Sequence, residues 1–147
     1  MHPTRIEYVF MKKVLFVFLI AISMVLSSCT PEGQLEIMVA GLSTECPMTI
    51  DETITCTDIF TEGKNIVYLC VVEEQEVGFN LSKIVNSQTK HLVKEDMLRN
   101  YRLQTITNKD FATFIQLCKE AKYNIIFRCI GSSTGDKYDI TIYSHEL

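Results

Sequence analysis

The apolar run Val14–Leu26 constrains this chain more than any other stretch. It is framed by Lys12 and Lys13 on one side and by Ser27, Ser28 and Cys29 on the other. As a helix it would rise roughly 20 Å at about 1.5 Å per residue. A hydrocarbon core is about 30 Å thick, so the segment is short for a permanent span. Its length suits the apolar region of an export signal, with the lysine pair holding the amino-terminal end on the cytoplasmic side. An export signal is removed, so residues 1–28 are expected to contribute nothing to the mature fold. Met11 directly precedes the lysines and is a more natural start than Met1, and either start leaves the same mature chain.

Leu26-Ser27-Ser28-Cys29 resembles the lipobox of bacterial lipoproteins. The resemblance implies cleavage between Ser28 and Cys29, a diacylglyceryl thioether on the Cys29 sulfur and an acyl group on the new amino terminus. Several chains at about 0.8 kcal/mol per buried methylene give effectively permanent anchoring. The expected place is therefore the bacterial cell envelope, most naturally the outer membrane, with either face open. The alternative is an ordinary secretory signal with a cysteine nearby.

Removing residues 1–28 from 147 leaves 119, enough for one domain spanning 35–147 behind a short tether at 29–34. The removed segment holds Arg5, Lys12, Lys13 and Glu7, so the mature chain keeps 11 basic and 17 acidic side chains, a net −6. Such a balance argues against nucleic acid and against a polybasic membrane patch. The six cysteines all lie in the mature part. With Cys29 lipidated, five remain, so at least one is unpaired within the monomer. There is no Cys-x-x-Cys and no histidine within a few positions of a cysteine, so neither a metal nor a cofactor is expected.

Thr30-Pro31-Glu32-Gly33-Gln34 has turn chemistry and reads as the tether. Leu35–Gly41 reads as a short helix ended by glycine, with a strand as the alternative. Ile54–Phe60 and Asn65–Glu73 flank Thr61-Glu62-Gly63-Lys64 and predict a β-hairpin. A register centred on Gly63 sets Cys56 opposite Cys70. Either a cross-strand disulfide or two core thiols follows, the thiols favoured because opposed pairs rarely suit disulfide geometry. Glu73-Glu74-Gln75-Glu76 reads as a solvated loop. From Asn80, a candidate cap, the pattern is helical, with Leu81, Ile84, Val85, Leu92, Val93 and Met97 inward and Lys83, Lys90, Lys94 and Arg99 outward. Asp110 sits in the first turn of a second helix, and Phe111, Phe114, Ile115 and Cys118 form one buried stripe. Tyr123–Ile130 and Tyr138–Ile142 alternate around a Gly131–Asp136 turn and predict a second hairpin. Neither hairpin is stable alone, so an α+β domain is expected: an antiparallel sheet of about four strands with helices on one face.

Cys46-Pro47-Met48, the strand pair running to Glu73-Glu74, and the closing Ile140-Thr141-Ile142-Tyr143-Ser144-His145-Glu146-Leu147 are together similar to a group of small Bacteroides-type lipoproteins. The resemblance implies an exported domain and carries no activity with it.

Three functions compete. A non-enzymatic binding or accessory domain, tied to the membrane and to a protein partner in the envelope, fits the anchor and the lack of a catalytic constellation. An inhibitor or immunity-type protein would show an exposed aromatic and acidic patch, for which Asp139, Tyr143, Tyr101 and Glu73–Glu76 are the candidates. A Cys or Ser hydrolase would need His91 or His145, and no local signature supports either. The first reading is favoured. Cys29→Ser is expected to abolish signal processing and release the protein from membranes, read by mass spectrometry of the amino-terminal peptide and by fractionation.

Overall fold

The computed structural model describes residues 30–49, 52–77 and 86–147. Helix α1 (Pro31–Thr44) leads to strand β1 (Met48–Thr49), then β2 (Ile54–Glu62) and β3 (Asn65–Val72). A single helical turn, α2 (Glu74–Val77), precedes helices α3 (Ser87–Thr107) and α4 (Lys109–Ala121). Strands β4 (Asn124–Gly131) and β5 (Lys137–Ile142) follow, and a 3₁₀ turn, Ser144–Glu146, closes the chain.

The segment expected as a tether is instead the first turn of α1. Thr30 caps the helix, its hydroxyl accepting from the Gly33 N–H at 3.0 Å, and Pro31 occupies the first turn. The residues that favour turns are also those that start helices, because a proline there loses no hydrogen bond. Leu35, Met38, Val39 and Leu42 then form the buried face.

Both hairpins form. Glu62 pairs with Asn65 around Gly63-Lys64, and Gly63 has a φ of 59°, the positive value that the first position of a type II′ hairpin requires. Cys56 pairs with Cys70 as expected, with a bulge between Cys56 and Asp58, and both cysteines are thiols.

The sheet has five strands in the order β1-β2-β3-β4-β5, and it is mixed rather than wholly antiparallel. β3 and β4 run parallel, from Asn65 opposite Asn124 to Val72 opposite Gly131. The cause lies in where α4 delivers the chain. Asn124 N–H donates to the Lys64 carbonyl at 2.8 Å, so β4 starts beside the start of β3. The Asn124 side chain locks this end, donating to Asn65 Oδ1 and accepting from Ser144 N–H, both at 3.0 Å. Strand alternation reports which face a residue takes, not the direction of a neighbour joined through helices.

Glu74 locks the opposite end. It was expected in solvent but is 2% exposed. Its Oε1 accepts from Ser133 N–H at 3.1 Å, Thr134 N–H at 2.9 Å and the Thr134 hydroxyl at 2.8 Å. Gly131 is required beneath it, since a Cβ there would collide with the Glu74 carboxylate. A charged group can be buried this way because a turn's N–H groups satisfy it.

α1, α3 and α4 cover one sheet face. The α4 stripe of Phe111, Phe114, Ile115 and Cys118 is buried as expected, beneath an Asn108 cap that accepts from the Asp110 and Phe111 N–H groups. Tyr68 of β3 stacks on Phe127 of β4 with centroids 4.9 Å apart, and Tyr101 of α3 meets Phe111 edge-on at 5.2 Å. α3 is capped by Asn86 within the described residues. Asn80, Leu81, Lys83, Ile84 and Val85 lie outside them. Met97 is buried as expected, but Leu92 is 37% exposed.

Glu74→Ala is expected to lower unfolding free energy by about 1–3 kcal/mol, because buried turn N–H groups lose their acceptor. Urea denaturation checks this, and Gly131→Ala is expected to move the midpoint in the same direction.

Candidate functional site

α3 and α4 are joined only by Asn108, their shared cap, so they lie side by side as a helical hairpin. Between them and the chain's closing residues is a cleft of about 210 Å³. Leu98, Tyr101, Arg102 and Thr105 of α3 line one wall, Ala112, Ile115, Gln116 and Lys119 of α4 the other, and Glu146 and Leu147 the end.

The closing wall is held by charge and ring contacts. Lys94 Nζ lies 2.8 Å from Glu146 Oε2 and 4.9 Å from the centre of the Tyr143 ring. Glu146 also accepts from Tyr143 N–H at 2.8 Å, and Tyr143 stacks on His145 at 5.7 Å. Burial works to raise the Glu146 pKa, but the Lys94 ammonium and the Tyr143 N–H outweigh it and hold the carboxyl below its usual range.

Arg102 and Lys119 are exposed on the rims and have no ion-pair partner among the described residues. Three large exposed apolar side chains, Leu92, Leu103 and Ile106, lie on the same helix, Ile106 at 82% exposure. Their spacing of 11 and 3 residues keeps them on one outer stripe of α3. α3 and α4 together carry six basic residues against four acidic ones, on a chain of net charge −4. The helical hairpin is thus the basic, partly apolar part of an acidic molecule.

The opposite end of α4 is built differently. There Glu32 of α1 bonds the Tyr123 hydroxyl at 3.2 Å and Lys64 at 3.1 Å, with Lys64 also 5.0 Å over the Tyr123 ring. The Lys64 and Tyr123 hydrogen bonds hold the Glu32 carboxyl below its usual range. A helix the length of α4 spans about 20 Å, so α1's first residues and the α3–α4 junction stand at opposite ends.

Ser28 and Cys29 lie outside the described residues. Tyr101, expected in an exposed patch, is 5% exposed in the core. Asp139 is engaged by Arg128, whose Nε lies 3.1 Å from Asp139 Oδ1 and whose Nη2 lies 3.3 Å from Glu62 Oε2. Tyr143 of that patch is 46% exposed and committed to Lys94 and His145, and Glu73 and Gln75 are exposed on either side of the buried Glu74. His91 and His145 are exposed on separate elements, and neither makes a hydrogen bond to a cysteine, serine or carboxylate among the described residues. Cys118 is fully buried, and burial pushes its thiol well above the usual range. No group of three metal-binding side chains converges among the described residues, and no described helix is long and apolar enough to cross a membrane. The cleft itself was not foreseen, and Leu103 and Ile106, the apolar residues off the inward stripe, lie outside its lining.

No protein-family model matches the chain, and none of the curated proteins matches it in sequence. Among solved structures it is similar to the pilotin EpsS from the Vibrio vulnificus type 2 secretion system. The TM-score is 0.51 at 14% identity, covering 79% of this chain and 94% of that one. The Vibrio cholerae type II secretion system pilotin AspS gives 0.47 at 11% identity, covering 80% and 95%. A Pseudomonas aeruginosa protein described as secreted gives 0.43 at 9% identity, covering 82% and 98%. At such identity the likeness to EpsS is one of fold.

Glu146→Gln is expected to lower stability by about 1 kcal/mol at neutral pH. A carboxyl held below its usual range stabilises above the unfolded-state value, and that contribution fades as acid titrates the folded state. The variant and the parent are therefore expected to converge in strongly acidic buffer, read by thermal unfolding across pH.

Proposed function

We propose that this protein is a non-enzymatic accessory lipoprotein of the bacterial envelope, anchored at the outer membrane through Cys29. In this reading it holds an acidic, partly apolar segment of a partner protein along α3 and α4. One observation carries the reading: the helical hairpin carries the cleft with Arg102 and Lys119 in its walls, and beside it, on the outer face of α3, the exposed Leu103 and Ile106. Apolar contact supplies affinity at such a site, and the rim cations select and steer an acidic partner.

The fold neighbour supports the class of partner. EpsS is a pilotin of a secretion system, and a secretion-system protein of the envelope is the corresponding partner for this chain. The placement of the two ends supports the anchoring. α1 begins directly after Cys29, so acyl chains there would set the bilayer against the Glu32, Lys64 and Tyr123 end. The α3–α4 junction would then face away from the membrane, open to a partner.

A photo-crosslinker placed at Leu103 in living cells tests this. An envelope protein is expected in the crosslinked product, and Arg102→Glu with Lys119→Glu is expected to lower its yield about tenfold or more, equivalent to about 1.4 kcal/mol. A yield unchanged by the charge reversal would overturn the site. Crosslinking that persists with Cys29→Ser while membrane retention is lost would separate docking from anchoring.

A further inference from the structure

Cys46, Cys56 and Cys70 meet where α1 gives way to the sheet. The β2–β3 register sets Cys56 opposite Cys70, and the β1–β2 register sets Met48 opposite Cys56, which brings Cys46 to the same corner. The Cys56 thiol interacts with the thiols of both Cys46 and Cys70. It lies 3.6 Å from the Asp58 carbonyl oxygen, and Cys46 Sγ lies 3.8 Å from that of Leu42. No group of three metal-binding side chains converges among the described residues, so the three thiols form no metal site.

Access separates them. Cys56 and Cys70 are buried, whereas Cys46 is partly exposed. A reagent in solution therefore meets Cys46 first, with the Cys56 thiol as its buried neighbour. The interaction with Cys70, helped by that with Cys46, outweighs burial and holds the Cys56 thiol below its usual range. Burial and the neighbouring Cys56 charge raise Cys46 to about 12. Access thus makes Cys46 the entry point, and the register makes Cys56 the thiol in reach behind it.

We propose that Cys46 and Cys56 form a disulfide on exposure to a disulfide oxidant such as oxidised glutathione, leaving Cys70 as a thiol. Cys46 sulfur, on losing its proton to solvent, attacks the glutathione disulfide. One glutathione leaves as a thiolate and is protonated. Cys56 sulfur, also deprotonated, then attacks Cys46 sulfur and displaces the second glutathione. Two protein thiols are oxidised and one glutathione disulfide is reduced to two thiols, so electrons and protons balance. The bond would fasten the end of α1 to β2, beside the Ser43 hydroxyl that already donates to Asp58 Oδ1 at 2.9 Å. Neither anchoring nor partner docking is assumed.

Cleavage after glutamate provides the test, because Glu45, Glu52, Glu62 and Glu73 place the three cysteines in separate peptides, 46–52, 53–62 and 63–73. The full chain is equilibrated in oxidised and reduced glutathione, alkylated under denaturing conditions, cleaved and mapped by mass spectrometry. Peptide 46–52 joined to 53–62, with 63–73 alkylated, is the expected result. A link between 53–62 and 63–73, or three alkylated peptides at every redox poise, would overturn the proposal. Cys46→Ser, at a partly exposed position, is expected to keep its circular dichroism spectrum and leave both remaining thiols alkylated. A Cys56–Cys70 link in that variant would count against Cys46 as the entry point.

Discussion

The parallel contact between β3 and β4 holds the molecule together. It joins two hairpins, each too small to persist alone, into one sheet whose Tyr68 and Phe127 face packs into the core under the helices. Tyr68 stacks on Phe127 across it, and both of its ends are closed by polar locks. At one end the Asn124 amide engages Asn65 and Ser144. At the other the Glu74 carboxylate fills the turn that follows β4, above a glycine that leaves it room. A parallel pair cannot be stitched by a tight turn, so α3 and α4 are the connection that makes it. The helices that carry the cleft are in this sense a product of the sheet's topology.

That dependence explains how chemistry is distributed over the surface. The groups most often used in catalysis are committed elsewhere. Cys118 lies in the core, Glu74 is consumed by a turn, and Asp139 and Glu62 share Arg128. Among the described residues the helical hairpin brings together Arg102 and Lys119 without ion-pair partners, a cleft and a stripe of exposed apolar side chains. Those are the ingredients of recognition. The likeness to a secretion-system pilotin is one of fold, and fold alone does not carry function.

Features encoded within about ten residues could be read from the chain itself. Gly63 announced its hairpin, while the opposition of Cys56 and Cys70 is restored by the bulge between Cys56 and Asp58. Phe111, Phe114, Ile115 and Cys118 announced the buried side of α4, and the alternation from Tyr123 and from Tyr138 announced β4 and β5. Features made by distant partners could not be read. Glu74 looks like its solvated neighbours until a turn 59 residues later supplies the N–H of Ser133. The direction of β4 depends on where α4 ends, and Tyr101 looks like a surface ring until Phe111 meets it. Thr30-Pro31 was ambiguous for another reason, since loops and helix starts draw on the same residue types. β1, only Met48 and Thr49, is too short to leave a periodic trace.

α1 starts at Pro31, and its first turn is tied to Lys64 and Tyr123 through Glu32. In the proposed lipoprotein this leaves almost no slack between the acyl chains and a rigid body. Such a molecule resembles a post set in the ground more than a buoy on a rope. Its reach is its own height, and its swing is narrow. It would sample a thin layer above the bilayer with a preferred bearing, so only ligands presented within that layer would gain from the high effective concentration of a short linkage.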